Sequence, residues 1–500
     1  MSSYFSILDS CYFSLYDCII IVSYKLSGLS YQSGYIVVYR MTHHLERSRK
    51  SYHLLTVNRK TSNTSLRLLV YRMYKTEAST GLFLIGILVL SCLSTSIFNQ
   101  LNQALAQQYI QTIKYRNLVI DLGNGVKTNA QLTYPAVGKG PFPGVLLIHG
   151  SGANDKNETL GFVNKNGPKP PTPFWQIAQY LSERGFAVLR YDKRGVGANH
   201  TILDTNVWGN STANDLIQDS KKALNVLVRQ TEVDPKRISI IGHSEGTLYA
   251  PRVAIDNSTK VKNIILMGTL AQNPAVAEYN LDVSLPSQYA KKVLDKNHAG
   301  LISIQQIAKA PVLRNLLLSS SVLSTNNIND ITNTLGKVFG TTGYISIDKQ
   351  LNPLLIKTYE NITAFNTSKC NNIGVCPILL RSLFSLTPNL SIIGNVSKST
   401  SILILNGEND SQTPVQQAFL LQQRLTEVNH PDHTLITYPN LGHTFYPSSE
   451  YLTSIGPIQP YVLADLYAWL EGHSGLSKSD ITPTTTASIT GTNTNSSSKR

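Results

Sequence analysis

The sequence predicts a single large α/β domain whose central sheet is mostly parallel and is covered by helices on both faces. Short, largely apolar runs recur along the chain, and segments with helical periodicity separate them. Two of the runs lead directly into glycine-bracketed polar residues. Such alternation is typical of a buried parallel sheet with its functional residues at the strand ends.

The predicted strands are runs rich in Val, Ile and Leu, as strands buried on both faces require. They cover residues 145–148, 186–189, 238–241, 264–266 and 402–405. Residues 174–183 and 213–228 carry the spacing of amphipathic helices between them. Together these elements predict an α/β domain over residues 107–473.

The strand and helix rhythm stops between residues 271 and 400. This interval follows the predicted strand 264–266 and contains helical stretches such as 287–294. We therefore expect a large, mainly helical cap insertion above the functional site. Residues 474–500 are mostly Ser, Thr, Asn and Gly, a composition typical of a disordered tail.

An uncharged apolar stretch covers residues 81–98, with Arg72 and Lys75 before it and the small-residue site Ala104-Leu105-Ala106 after it. This order is that of a secretory signal peptide, which would occupy residues 73–106 and make residues 1–72 an extension with a mis-assigned start. The alternative is an uncleaved membrane anchor at residues 81–98, with residues 1–72 on the cytoplasmic side. Both interpretations predict that the domain is extracellular or in the cell envelope, secreted or membrane-anchored, and that any membrane contact runs through residues 81–98.

The formal net charge is +14, but the first 80 residues contain ten basic and only four acidic side chains. Elsewhere the basic residues are dispersed and are not interleaved with aromatics, so no nucleic-acid partner is expected. Nothing in the sequence indicates the oligomeric state.

Two cysteines of the body, Cys370 and Cys376, lie close together in sequence, and their spacing fits either a disulfide or a pair of free thiols. Their neighbourhood offers no further ligands for zinc, so we expect no metal site there. If the domain is exported, an oxidising compartment favours a disulfide that pins a loop of the cap.

The sharpest motif is Gly242-His243-Ser244-Glu245-Gly246, which follows the predicted strand 238–241 and precedes a helical segment. A tight strand-to-helix turn needs small residues around the serine, which then projects above the sheet edge at the helix N-terminus. The motif therefore predicts that Ser244 is a catalytic nucleophile. An ordinary glycine-bracketed turn is the alternative.

A serine nucleophile needs donors that stabilise the oxyanion formed after its attack. Residues 149–152 read His-Gly-Ser-Gly and follow the predicted strand 145–148, where glycines allow close approach of the backbone to a ligand. We predict that the amides of Ser151 and Glu245 form the oxyanion hole. For His149 we expect a structural role.

The remaining members of a catalytic triad are expected in the order serine, acid, histidine. The predicted strand 402–405 leads into a loop with two acids, and Asp410 is preferred over Glu408 because it lies deeper in the loop. Among the histidines that follow, His443 has a strand-then-glycine setting, which predicts that it is the catalytic base.

With these motifs in place, residues 128–473 resemble the α/β-hydrolase superfamily, and in particular its esterase-type serine hydrolases. The resemblance rests on the loop of residues 149–159 and on the turn of residues 191–197, in addition to the serine motif. It implies cleavage of a small-molecule ester or acyl substrate without a metal or organic cofactor.

The first functional hypothesis is therefore a carboxylic ester hydrolase that works through an acyl-enzyme. A serine peptidase or an acyltransferase would use the same triad, since the fold does not determine the acyl acceptor. A non-catalytic surface binding protein is the alternative of another class, although such a module has no need of all three triad residues.

Overall fold

The computed structural model divides into two compact units, Met1–Ile110 and Gln111–Arg500. The described residues are 17–24, 35–42 and 53–55 of the first unit and 112–161, 169–318, 320–323, 327–365, 370 and 376–476 of the second. The apolar segment 81–98 and residues 477–500 of the expected tail lie outside these ranges. Within the described part of the chain, none of the helices combines the length and apolar character needed to span a bilayer.

The first unit contains an antiparallel sheet in which β2 lies between β1 and β3. The bounds are β1 Asp17–Tyr24, β2 Tyr35–Thr42 and β3 His53–Leu55. No strands are predicted here from the sequence, because the apolar residues of this region show no sustained alternation.

The second unit is built on an eight-stranded sheet with the order β13-β12-β9-β8-β6-β7-β5-β4. The bounds are β4 Ile113–Gly123, β5 Val126–Pro135, β6 Phe142–Ile148, β7 Ala187–Tyr191, β8 Val233–His243, β9 Val261–Met267, β12 Ser401–Gly407 and β13 His433–Tyr438. The strands β6, β7, β8, β9, β12 and β13 are mutually parallel, whereas β5 pairs antiparallel with both β4 and β7. The predicted mostly parallel sheet is confirmed, with an antiparallel hairpin at one edge that the sequence analysis missed.

The sheet is buried on both faces, as its apolar strands predict. Every residue of β6 is buried, and its side chains alternate between two hydrophobic clusters. Leu146 and Ile148 pack in the cluster beneath the helices Ala213–Leu227 and Gly246–Asp256. Val145 and Leu147 pack in the opposite cluster, beneath the helices Pro173–Ser182 and Pro460–His473.

The helices of the unit that lie outside the interval between β9 and β12 connect strands of the sheet, except the last, which follows β13. They are Pro173–Ser182, Thr205–Gly209, Ala213–Leu227, Gly246–Asp256, Val415–Glu427 and Pro460–His473, with a short 3₁₀ helix at Ala198–His200. A capping box begins Ala213–Leu227: the Thr212 hydroxyl accepts from the Asp215 amide at 3.2 Å, and the Asp215 carboxylate accepts from the Thr212 amide at 3.0 Å. Such a cap is worth about 1 kcal/mol of helix stability.

The interval between β9 and β12 is mainly helical, as predicted. Its helices are Pro274–Tyr279, Leu285–Tyr289, Ile304–Lys309, Pro311–Leu317, Ser320–Leu323, Ile328–Phe339, Asn352–Thr363, Pro377–Phe384 and Asn389–Ile392, with π-helical turns at Asn280–Ser284, Ala290–Leu294 and Ile347–Leu351, a 3₁₀ turn at Ile393–Asn395 and a two-stranded ribbon of β10 Leu301–Ser303 and β11 Tyr344–Ser346.

This interval consists of two parts that pack differently. Residues between Val283 and Leu355 form a hydrophobic cluster of their own. Residues from Cys376 onward, including Leu379 and Leu383, join the core cluster of the main sheet instead. Cys376 is disulfide-bonded to Cys370, which confirms the predicted bridge and places it where the separate cluster gives way to the main core.

Candidate active site

Ser244 lies in the tight turn between β8 and the helix Gly246–Asp256. Its φ is +52°, in the left-handed region that non-glycine residues rarely adopt, and its amide donates to the carbonyl of Met267 at 2.8 Å. A Cβ at Gly246 would lie 2.2 Å from the carbonyl oxygen of Ile148, so only glycine allows the helix to approach β6 this closely. This geometry is the strained strand-to-helix elbow that the motif predicts.

Asp410 and His443 are brought together from the loops that follow β12 and β13. Nδ1 of His443 lies 2.8 Å from Oδ2 and 3.0 Å from Oδ1 of Asp410. The carboxylate also accepts from the amide of Gln412 at 2.9 Å and from the amide and hydroxyl of Thr413 at 2.8 and 2.7 Å. The competing acid, Glu408, accepts instead from the hydroxyl of Thr437 at an exposed position. Of the two acids in this loop, the histidine therefore contacts Asp410.

His443 is held against the serine elbow through His243, the residue before Ser244. The two imidazole rings lie 5.0 Å apart, and Nε2 of His243 donates to the carbonyl of His443 at 3.2 Å. Ser244, Asp410 and His443 therefore all lie at the carboxyl ends of parallel strands, after β8, β12 and β13 respectively. Active sites of open α/β sheets form at this edge.

The predicted oxyanion loop lies directly beside the elbow. A Cβ at Gly150 would lie 3.1 Å from Cβ of Ser244, so this glycine permits a close approach of the loop backbone to the serine. Among the described residues, the amides of Ser151 and Glu245 have no acceptor, whereas the amide of Gly150 donates to Oε1 of Glu158 at 2.6 Å. The two amides predicted as oxyanion donors therefore have no acceptor among the described residues. One lies in the loop beside Ser244, and the other belongs to the residue that follows Ser244.

Two buried ion pairs end on the residues on either side of Ser244. Oε2 of Glu158 lies 3.0 Å from Nδ1 of His243, although the ring N–H is not aligned for a hydrogen bond. Nζ of Lys193 lies 3.1 Å from Oε1 of Glu245, and both of these side chains are almost fully buried. The sequence analysis includes Glu158, Lys193 and His243 in its motifs but assigns none of them a role, since nothing in the local sequence marks these side chains as buried.

The ion pair between Glu158 and His243 shifts both groups toward their charged forms. Burial raises the pKa of Glu158, but the charge and contact of His243 outweigh it and hold that pKa below its usual value. Burial likewise lowers the pKa of His243, but the Glu158 carboxylate outweighs it and the pKa is raised.

His149 packs its ring against two aromatic side chains beneath the oxyanion loop. Its ring stacks on Phe174 at a centroid distance of 5.2 Å and meets the edge of Tyr191 at 5.0 Å. Burial, followed by the charge of Lys193, lowers the pKa of His149 to about 4, which keeps the ring neutral. Neither ring nitrogen has a hydrogen-bond partner among the described residues, so His149 acts through packing and not by satisfying loop backbone groups.

The described residues contain no group of three or more His, Cys, Asp or Glu side chains arranged to hold a metal ion.

Comparisons with curated proteins give partial matches. Esterase EstD of Thermotoga maritima is 33% identical over 144 residues, which are 28% of this chain and 30% of that protein. The putative hydrolase YtaP of Bacillus subtilis is 28% identical over 152 residues, 29% of this chain and 50% of that protein. The chain therefore matches between 30% and 50% of the length of these relatives.

Solved structures with a similar fold include the proline iminopeptidase of Mycobacterium smegmatis, which is 14% identical with a TM-score of 0.41 and covers 72% of this chain and 99% of that one. They also include Est1E of Butyrivibrio proteoclasticus with bound ferulic acid, which is 14% identical with a TM-score of 0.42 and covers 72% of this chain and 100% of that one.

A family model described as serine aminopeptidase, S33 matches residues 173–448, more than half of the chain. This stretch includes the serine elbow, the helical insertion and the loops that carry Asp410 and His443. The chain therefore belongs to the S33 serine aminopeptidase family of the α/β-hydrolase superfamily.

Proposed function

We propose that the protein is a serine hydrolase that cleaves small-molecule carboxylic esters through an acyl-enzyme, with Ser244 as nucleophile, His443 as base and Asp410 as the orienting acid. The observation that carries this proposal is the contact of Nδ1 of His443 with the Asp410 carboxylate at the sheet edge that carries the strained Ser244.

The proposed reaction follows from the protonation of the imidazole. With its Nδ1–H donated to Asp410, a neutral His443 carries its lone pair on Nε2 and can accept the proton of the Ser244 hydroxyl. The serine oxygen then attacks the ester carbonyl, and the oxyanion binds the amides of Ser151 and Glu245. The imidazolium returns the proton to the leaving alcohol, and a water molecule hydrolyses the acyl-enzyme by the same route.

The test is hydrolysis of p-nitrophenyl esters of graded acyl length by the wild-type protein and by Ser244→Ala. We expect turnover with the wild type and a loss on the order of 10⁶ in kcat for the variant, with an unchanged melting temperature. The exposed serine variant Ser399→Ala serves as the matched control and should keep wild-type turnover. Undiminished turnover in Ser244→Ala would exclude the proposed nucleophile.

A serine aminopeptidase is the second candidate, because the matching family model carries that description. The same triad would attack the amide carbonyl, so the two candidates differ in substrate and not in machinery. Aminoacyl p-nitroanilides assayed beside the esters separate them. A kcat/KM for an anilide that exceeds every ester would replace the ester proposal with the peptidase.

We also propose that the second unit functions outside the cytoplasm, either secreted or anchored through residues 81–98. Its support is the Cys370–Cys376 disulfide, since such bonds persist in oxidising compartments, together with the order of basic, apolar and small residues over 72–106. N-terminal sequencing of protein recovered from the native host after cell fractionation tests it. A cytoplasmic fraction with both thiols reduced would contradict the proposal.

A further inference from the structure

The peptide unit between Gly150 and Ser151 is held from its carbonyl side by buried donors. Nζ of Lys193 donates to the Gly150 carbonyl at 2.6 Å, and Nδ2 of Asn154 donates to the same oxygen at 2.8 Å. The N–H of this peptide unit belongs to Ser151. Because a trans peptide is planar, its N–H and C=O point in opposite directions, and holding the carbonyl also determines where the N–H points.

The preceding peptide unit is held by a charge of opposite sign. Its N–H, which belongs to Gly150, donates to Oε1 of Glu158, a side chain that is only 2% exposed. Glu158 therefore prevents the Gly150 amide from serving as an oxyanion donor. It also leaves the Ser151 amide as the next available donor along the loop.

Both charged side chains also contact the serine elbow. Glu158 pairs with His243, and Lys193 pairs with Glu245, so each ion pair ends on a residue adjacent to Ser244. The hydroxyl of Tyr249 donates to the same Glu245 oxygen at 2.9 Å and supports that end of the second pair. Glu158 and Lys193 thus connect one half of the proposed oxyanion hole to the other.

We propose that Lys193 and Glu158 are positioning residues that orient the Gly150–Ser151 peptide so that its N–H, together with that of Glu245, faces the developing oxyanion. A rotation of this peptide by half a turn would replace the donor with a carbonyl oxygen, which repels an oxyanion. Lys193 opposes that rotation because its ammonium would lose the carbonyl in a buried position. This inference rests on the proposed function of Ser244, although neither side chain touches the substrate.

The kinetic test compares Lys193→Met and Glu158→Gln with the wild type in ester hydrolysis. Lys193→Met keeps the length of the side chain but cannot donate, and we expect kcat to fall about 100-fold, the effect of losing one oxyanion donor, with KM within about threefold. Glu158→Gln keeps an oxygen for the Gly150 amide, so about a tenfold fall in kcat is expected, on the same scale. Asp219→Asn, which neutralises the buried partner of Arg194, is the matched control and should keep wild-type kcat.

A double variant separates positioning from a merely structural role. Lys193→Met leaves the Glu245 carboxylate buried without its cation, so its melting temperature should fall. Lys193→Met combined with Glu245→Gln removes both charges, and we expect it to regain melting temperature but not kcat. Recovery of kcat along with stability would overturn the proposal, as would an unchanged kcat in Lys193→Met.

A measurement that needs no turnover separates failure of this proposal from failure of the proposed function. We expect hydrogen exchange of the Gly150 amide to be faster in Lys193→Met and Glu158→Gln than in the wild type and Asp219→Asn. Wild-type exchange rates in both variants would overturn the positioning role even if Ser244 proved not to be a nucleophile. Faster exchange without ester turnover in the wild type would support the positioning role and reject the proposed function.

Discussion

Buried carboxylates have oppositely shifted pKa values at the carboxyl ends of the sheet strands and in the helical insertion. At the sheet edge, Glu158 lies beside His243, which holds the pKa of Glu158 below its usual value. In the insertion, Asp282 is 7% exposed and its Oδ2 has no hydrogen-bond partner. Burial, followed by the nearby charge of Glu278, raises the pKa of Asp282 to about 7.

Burial alone therefore does not determine the charge of an acid in this protein. A buried acid with a cationic partner stays ionised and ties segments together, whereas one without a partner takes up a proton near neutral pH. The paired acids surround Ser244, and the unpaired acid lies in the insertion. Removing each kind of carboxylate should therefore have opposite effects.

The largest effect is expected at the acid that contacts the proposed base. Asp410→Asn should lower kcat about 10⁴-fold, because an amide cannot stabilise the imidazolium of His443 and can impose the wrong tautomer on it. The matched control is Glu408→Gln, which alters the exposed acid two residues earlier and should leave kcat within about twofold. Steady-state kinetics on one p-nitrophenyl ester measures both. Equal losses in the two variants would contradict the assignment of Asp410.

The second effect concerns the stability given by Glu158. Glu158→Gln should lower the free energy of unfolding by about 3 kcal/mol at pH 6, since it leaves His243 buried without its anion. A depressed carboxyl pKa gives stability that is present above the unfolded pKa and is lost as the pH falls through the folded value. The difference from the wild type should therefore disappear once the pH falls below the folded pKa of Glu158. Urea unfolding over a series of pH values from 6 downward measures this, and equal stability of the two proteins at pH 6 would contradict the role of Glu158.

The third effect has the opposite sign. Asp282→Asn should stabilise the protein, because the carboxyl pKa rises from 3.8 in the unfolded chain to about 7 in the folded one. The folded state then binds the extra proton between these values, so stability falls with rising pH across that range and stays low above it. The shift corresponds to a gain of up to about 4 kcal/mol at pH 8 and to little at pH 4.

The exposed Asp348 provides the control for this experiment. Its side chain is 68% exposed and pairs with Lys291 at the surface, so Asp348→Asn should change stability by less than about 1 kcal/mol at either pH. Thermal unfolding of both variants at pH 4 and pH 8 compares them. A destabilised Asp282→Asn at pH 8 would show that this carboxylate has a partner after all.

The smallest effect is expected from the disulfide. Replacing Cys370 and Cys376 by serine opens a short loop and should cost only about 2 kcal/mol by the loop-length relation. Because the bridge lies where the insertion joins the main core, KM should change more than the melting temperature. Thiol titration of unfolded, unreduced wild type should find neither of these two cysteines reactive. Two reactive thiols at these positions would contradict the bridge.

The elements predicted correctly from sequence are those whose pattern reports burial directly. The strands β6, β8, β9 and β12 are near-continuous apolar runs because they are covered on both faces. The hairpin of β4 and β5 was missed because its outer strand is not a continuous apolar run: polar residues interrupt it, and Tyr115 and Val119 are exposed. Sequence also could not show that the insertion divides into two parts, since helical periodicity does not reveal which core a helix packs against.

The local motifs and their order along the chain were sufficient to predict the three candidate triad residues. Ser244, Asp410 and His443 each follow a recognisable strand, and the fold brings their loops to one edge. The ion pairs of Glu158 with His243 and of Lys193 with Glu245 join residues far apart in the chain. A charged residue in a polar loop gives no local sign that it is buried, so these pairs became visible only in three dimensions.

The central claim is that Ser244 is the nucleophile activated by His443, and covalent labelling tests it most directly. Protein treated with a fluorophosphonate, digested and mapped by mass spectrometry should carry one adduct, on the peptide that contains Ser244. The labelling rate should fall by orders of magnitude in His443→Ala, because the hydroxyl would lose its base. An adduct on another residue, or enzyme that turns over esters without labelling at Ser244, would contradict the account.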